Sequence, residues 1–244
     1  QPWPTPPSPS WWRRGRRGWR HPQQSPAAGV TRRGWAPGTV LLLTLALASG
    51  CQPGSPPAPT AADGAAHAPT QPQAPSPPLV AAARAQVGVT TRYDPAYQVL
   101  AYPGGDVPLD RGVCTDVVVR ALRDLGLDLQ ARVHEDMRGS FSAYPAIWGL
   151  SRPDRNIDHR RVPNLMRWFE RQGWQQPVTA LAADYAAGDI VAWKLNGNGL
   201  LHVGIVSDRR LANGTPLVLH NIARGTREEN LLFQHAIIGH YRMP

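Results

Sequence analysis

Three features of this 244-residue sequence predict a single α+β domain. Seventeen of its 26 prolines fall at or before Pro78, so residues 79–244 are the stretch able to build a core. From Leu79 to Gln172 the apolar residues recur at helical spacing, and after Gly188 they recur in strand-like runs. Helices first and an antiparallel sheet second is the α+β order.

The elements follow from the N-terminus. The chain holds no methionine before Met137, and residues 1–29 are expected to be an upstream extension, with Val30 as the initiator. Residues 30–50 pair Arg32-Arg33 with the apolar run Val40–Ala48 and a small-residue ending, the layout of a signal peptide. Leu47-Ala48-Ser49-Gly50-Cys51 resembles a bacterial lipobox, which makes Cys51 the expected lipidation site and the protein an exported, membrane-anchored one. The apolar run falls short of the roughly 20 residues a spanning helix needs. Residues 51–78 are rich in Pro, Ala and Gln and poor in large apolar groups, so they are expected to form a disordered tether.

Within 79–244, Leu79–Val87 is a predicted helix that ends at Gly88. Cys114–Leu125 is another, with Val117, Val118, Ala121, Leu122 and Leu125 as its apolar stripe, Thr115 and Asp116 in its first turn and Gly126 as its stop. Residues 128–163 read as polar and irregular, with Tyr144 and Trp148 as anchors, and Asn164–Gln172 as a short helix. Four strands are predicted at 189–193, 201–206, 216–220 and 236–242, joined at Asn196-Gly197-Asn198-Gly199 and Asn213-Gly214 by hairpin-type turns.

A formal charge of +9 would suit a nucleic-acid binder, but seven arginines precede Cys51 and no acidic residue does. The rest is close to balanced and lacks a concentrated basic face, so no nucleic-acid partner is expected.

With Cys51 lipidated, Cys114 is the leftover thiol, and an odd cysteine in an exported protein points to a reactive one. At a helix N-terminus its anion is favoured by unpaired N–H groups, and it is expected to be exposed rather than part of the buried stripe. A catalytic thiol needs a base and a group to orient that base. His202 lies on a predicted strand and His220 ends the next, so the expected roles are Cys114 as nucleophile, His202 as general base and then acid, and His220 or its neighbour Asn221 as orienter. N–H groups at the helix start would form the oxyanion hole. The cluster Asp158-His159-Arg160-Arg161 is expected to be an ion-paired loop lining the cleft, with Asp158, His159 and Arg160, together with Asp116, as substrate contacts.

The pieces Gly188-Asp189-Ile190-Val191-Ala192-Trp193 and His202-Val203-Gly204-Ile205-Val206, followed by His220, resemble the NlpC-type cysteine peptidases of the papain-like superfamily. That resemblance implies a papain-like, NlpC-related single domain, helices packed on a C-terminal antiparallel sheet, and amide hydrolysis through an acyl-enzyme. Val113-Cys114-Thr115-Asp116 departs from the Asp-Cys-Ser-Gly usual around such nucleophiles, and the insert between Leu125 and Asn164 has no counterpart in the minimal domain, so substrate selectivity is expected to differ. From Tyr93 to Arg242 the chain also resembles an uncharacterised bacterial exported group, the domain-of-unknown-function family typified by YijF. The resemblance rests on Tyr102-Pro103-Gly104-Gly105-Asp106, Gly112-Val113-Cys114-Thr115-Asp116, His134-Glu135-Asp136-Met137, Asn156-Ile157-Asp158-His159, His220-Asn221-Ile222 and Gly239-His240-Tyr241-Arg242.

The resulting expectation is a monomeric lipoprotein with a thiol amidase or peptidase domain that acts on cell-wall peptide and needs no cofactor. A non-catalytic envelope-binding module and an acyltransferase using the same thioester are the alternatives. Cys114, His159, His202, His220 and His240 are all zinc-competent types, but none shows a tight ligand spacing, and no metal is expected.

Overall fold

A computed structural model describes residues 75–244. The expected upstream extension (1–29), the signal peptide (30–50), the lipidation site Cys51 and the tether as far as residue 74 lie outside the described residues.

The first helix, α1 (Pro78–Arg84), starts with proline in its first turn, where a missing N–H costs nothing, and buries Leu79, Val80 and Ala83. Two short strands, β1 (Arg92–Tyr93) and β2 (Arg111–Gly112), pair in parallel and deliver the chain to α2 (Cys114–Asp124). Val117, Val118, Ala121 and Leu122 of α2 are at most 1% exposed. At roughly 1.5–3 kcal/mol for each large apolar side chain buried, this stripe holds α2 onto the sheet. Gly126, at φ +85°, ends the helix as expected.

A helix occupies part of the stretch read as irregular. α3 (Leu129–Ser140) is capped by Asp128, whose side chain accepts from the Gln130 N–H, and it buries Leu129, Val133 and Met137. One apolar residue in four makes a thin stripe that a polar sequence conceals. α4 (Val162–Arg171) follows, beginning two residues before the expected start and carrying Pro163 in its first turn.

The sheet comprises β3 (Ile190–Lys194), β4 (Leu201–Arg210), β5 (Pro216–Asn221), β6 (Thr226–Glu229) and β7 (Ala236–Tyr241), in the antiparallel order β6-β5-β4-β3-β7. It is not a plain meander, because the last strand returns to pair with β3. The strand β6, Thr226-Arg227-Glu228-Glu229, escaped the sequence reading because an edge strand needs no apolar alternation. Ile190, Ala192, Val203, Ile205 and Leu219 join the helices in the main core. Val191, Trp193, Val206 and Val218 face the other way, beneath Tyr185, Leu231 and Leu232. Both sheet faces are therefore covered.

Asp189, just before β3, joins two motifs that look separate in sequence. Its carboxylate accepts from Arg242 Nε and Nη2, both at 2.7 Å, and from the Ala186 N–H at 2.8 Å, while His240 Nε2 stands 2.7 Å away. The result is a single domain of mixed helix and antiparallel sheet, in which no described helix is long and apolar enough to cross a membrane.

Candidate active site around Cys114

Cys114 occupies the first helical position of α2, after Val113 in extended conformation. Asp116 fixes that start, because its Oδ2 accepts the Val113 N–H at 2.6 Å. The same carboxylate takes a bidentate pair from Arg160, with Nε to Oδ1 and Nη2 to Oδ2 both at 2.9 Å. Thr115 Oγ1 donates to the Arg160 carbonyl at 3.0 Å. The 3₁₀ turn Asp158–Arg160 is thereby bolted to the first turn of α2.

On the other side, Asn221 at the end of β5 donates Nδ2 to the Gly112 carbonyl at 3.0 Å, and its Oδ1 accepts the Gly225 N–H at 3.1 Å. Both ends of the Asn221 amide hold backbone, and it pins the loop that carries Cys114.

The exposed thiol expected from the sequence is corrected. Cys114 is 5% exposed and sits among the apolar residues of the main core. Burial pushes its thiol up to about 12, the backbone N–H groups of Val203, Thr115 and Cys114 pull the other way, and the charge of Asp116 adds to the rise. All three N–H groups lie near enough to the sulfur to favour its anion, against the larger effect of burial. The thiol is neutral at physiological pH.

The structure does bring His202 and His220 together. Their rings meet edge to face with centroids 5.2 Å apart, and both side chains are buried. His202 lies opposite Trp193 in the β3–β4 register and tilts against its indole at 5.8 Å. By strand alternation it stands on the face away from Val203, which joins Cys114 in the main core. His202 Nε2 and both ring nitrogens of His220 lack hydrogen-bond partners, so no Cys114–His202 hydrogen bond through Nε2 is made. Burial, with His220 nearby, holds His202 well below the usual imidazole range. Burial brings His220 down to about 4, against the opposing charge of Glu229, whose Oε2 stands 3.5 Å from His220 Nε2.

The four residues expected to touch substrate are buried in the domain. Asp116, Asp158, His159 and Arg160 are 1–7% exposed. Asp158 accepts the Asp154 N–H at 2.5 Å and Arg161 Nη1 at 2.9 Å. His159 is lowered to about 4 by burial, and its Nδ1 has no partner. Ion pairing was foreseen for this cluster, but its partner Asp116 lies 44 positions away, a distance that hides the pairing.

Sequence reasoning missed two neighbours. Tyr93, on β1 opposite Gly112, has its phenol raised to about 12 by burial and by the nearby Cys114 and Asp116. Glu229 lies on the polar edge strand that gave no signal. Among the described residues, no group of three His, Cys, Asp or Glu side chains is placed to hold a metal ion.

Comparison with known proteins gives a family without an assigned reaction. Residues 80–243 match the family described as a domain of unknown function, DUF1287. An Escherichia coli K12 protein called "Uncharacterized protein YijF" is 58% identical over 160 residues, a match covering 66% of this chain and 78% of the relative. No solved structure matches. A model spanning the whole stretch from α1 to the last strand, together with a relative of this identity, settles the relationship: the chain belongs to the DUF1287 family.

Proposed function

We propose that the domain is a cysteine-dependent amidase or peptidase of papain-like, NlpC-related architecture that acts on cell-wall peptide. The observation that carries this reading is Cys114 at the first position of α2, its sulfur close to the N–H groups of the helix start and of Val203 on the strand that bears His202. Donors so arranged stabilise first a thiolate and then the oxyanion of a tetrahedral adduct. In the proposed reaction the Cys114 proton passes to His202 and the sulfur bonds to the substrate carbonyl carbon. The carbon–nitrogen bond then breaks, and the proton leaves with the amine. Water, deprotonated by His202, cleaves the thioester and restores the thiol. The thiol and the imidazoles are neutral at rest and the His202 ring lies on the Trp193 face of the sheet, so the reaction requires substrate binding to turn His202 towards the sulfur. Export and anchoring through a lipidated Cys51 would place this activity at the cell envelope.

The test is mass spectrometry of purified muropeptides incubated with the full chain and with Cys114→Ala. A product gaining one water, formed by the first and not the second, supports hydrolysis. A broad panel left unchanged by both sinks the cell-wall assignment. A second reading, a non-catalytic envelope-binding module, is favoured by the buried, neutral sulfur and the missing hydrogen bond to His202 Nε2. It predicts muropeptide binding of equal strength in the two proteins and no turnover in either.

A further inference from the structure

Beyond Cys114, the insert between α3 and α4 encloses a cavity of about 220 Å³. Met137, Phe141, Tyr144 and Leu150 give it mostly apolar walls, and Trp148, Asp158 and Arg161 also line it. The guanidinium carbon of Arg161 lies 4.1 Å from the centroid of the Trp148 ring. One nitrogen, Nη1, donates to Asp158. Nε and Nη2 make no hydrogen bond among the described residues, and the side chain is 18% exposed at the cavity. Asp158 is in turn committed on its other oxygen to the Asp154 N–H.

We propose that this cavity is a binding site for a small carboxylate with an apolar body, its carboxylate on the free edge of Arg161 and its hydrocarbon against the Met137, Phe141 and Leu150 walls. Size sets the body: a dry apolar cavity of about 150 Å³ holds benzene, so this one holds an aromatic ring or a branched alkyl group with a short arm. Charge sets the head. Burial lowers the proton affinity of Arg161 even with Asp158 and Asp154 beside it, which marks a poorly solvated cation whose free edge favours a further anion, against the repulsion of the Asp158 carboxylate in the same lining. The free Nε and Nη2 form the planar fork that takes a carboxylate in two parallel hydrogen bonds, and the indole holds that fork in place. The site is separate from Cys114 and stands whether or not the thiol turns over a substrate. The same chemistry occurs in a free acid and at the C-terminus of a peptide ending in an apolar residue.

The probes are 3-phenylpropionate, its neutral amide, and a tripeptide ending in phenylalanine with and without C-terminal amidation. Each is titrated into the full chain by calorimetry. Saturable binding of 3-phenylpropionate, at least tenfold weaker for the amide and for Arg161→Gln, is the expected result. Ala146→Phe, which adds a ring at an exposed lining position and leaves the Arg161 side chain in place, should abolish binding while circular dichroism stays unchanged. That variant keeps the test sound if Arg161→Gln loosens the turn. Tighter binding of the free-carboxyl tripeptide than of the acid identifies a peptide terminus as the source, and the reverse identifies a free acid. No saturation by 10 mM of either carboxylate, or equal binding of acid and amide, overturns the proposal.

Discussion

Asp116 and Arg160 meet edge to edge with both side chains at most 4% exposed, so the first turn of α2 and a 3₁₀ turn 44 positions later are one rigid unit. The pair is bidentate, and Asp116 also caps the helix through the Val113 N–H. Taking one partner away leaves a buried charge uncompensated, at a cost of about 3–5 kcal/mol. Asp116→Ala should therefore lower the free energy of unfolding by that order in denaturant titration. Arg160→Met, which removes the other half, should cost a similar amount. The double variant should cost clearly less than the two added. Strict additivity would show that the two residues do not act as a pair.

Cys114 reactivity should follow its burial. With the thiol pushed up to about 12, iodoacetamide should label it slowly at pH 7 and progressively faster as the pH rises. Saturation of the rate below pH 8 would contradict the buried geometry. Unfolding in guanidinium should raise the rate at pH 7, because it removes the main cause of the shift.

Asn221→Ala should loosen the loop that carries Cys114. Both amide ends are bonded to buried backbone, and leaving the Gly112 carbonyl and the Gly225 N–H unsatisfied costs about 1–3 kcal/mol each at most. Hydrogen exchange should speed up at Gly225 and at the start of α2 ahead of the rest of the sheet. Uniform acceleration across the sheet would argue for a purely global effect.

Stability should decline with acid between about pH 6.5 and 4. His159 and His220 are both lowered to about 4 by burial, so over that window the unfolded chain binds protons that the folded chain does not. Folded pKa values below the unfolded ones make this stability complete above the unfolded value and lost as pH falls towards the folded one. Each group contributes a slope of about 1.4 kcal/mol per pH unit inside the window. Replacing His220 with Asn should flatten the curve by roughly one such slope, as measured by urea midpoints at fixed pH. An unchanged curve would mean that His220 is solvated in the native state.

Gly204→Ala tests how closely β4 and β5 approach. A methyl group there would lie 2.8 Å from Val218 Cγ1, 2.9 Å from the Leu219 carbonyl and 3.1 Å from His220 Cβ. The backbone oxygen cannot turn aside, so a cost of about 1–3 kcal/mol is expected, read as a lowered melting midpoint. The His202 and His220 ring resonances should shift as well.

The sequence revealed most where one residue type repeats at a fixed spacing. The stripe Val117, Val118, Ala121 and Leu122 announces α2, and the dense apolar run Leu201–Val206 announces β4. α3 was hidden because Leu129, Val133 and Met137 lie thinly among polar neighbours, and β6 because an edge strand of threonine, arginine and glutamates has no apolar period. At the site, the helix start at Cys114 and the strand positions of His202 and His220 could be read locally. Which sheet face each histidine takes depends on the pairing of His202 with Trp193 across the hairpin. Whether a polar residue is free depends on a partner far along the chain, as Asn221 and Gly112 show at 109 positions apart. Spacing cannot express either fact.

The pairing of β7 with β3, locked by Arg242 and His240 on Asp189, makes the centre of the sheet a long-range closure. One side of β3 is supplied by its hairpin neighbour β4, while the other waits for residues about 51 positions away, so half of its ladder carries the loop-closure cost of a non-local contact. Asp189 finds its guanidinium only when that distant strand docks, so completing the sheet and compensating its buried carboxylate are a single step.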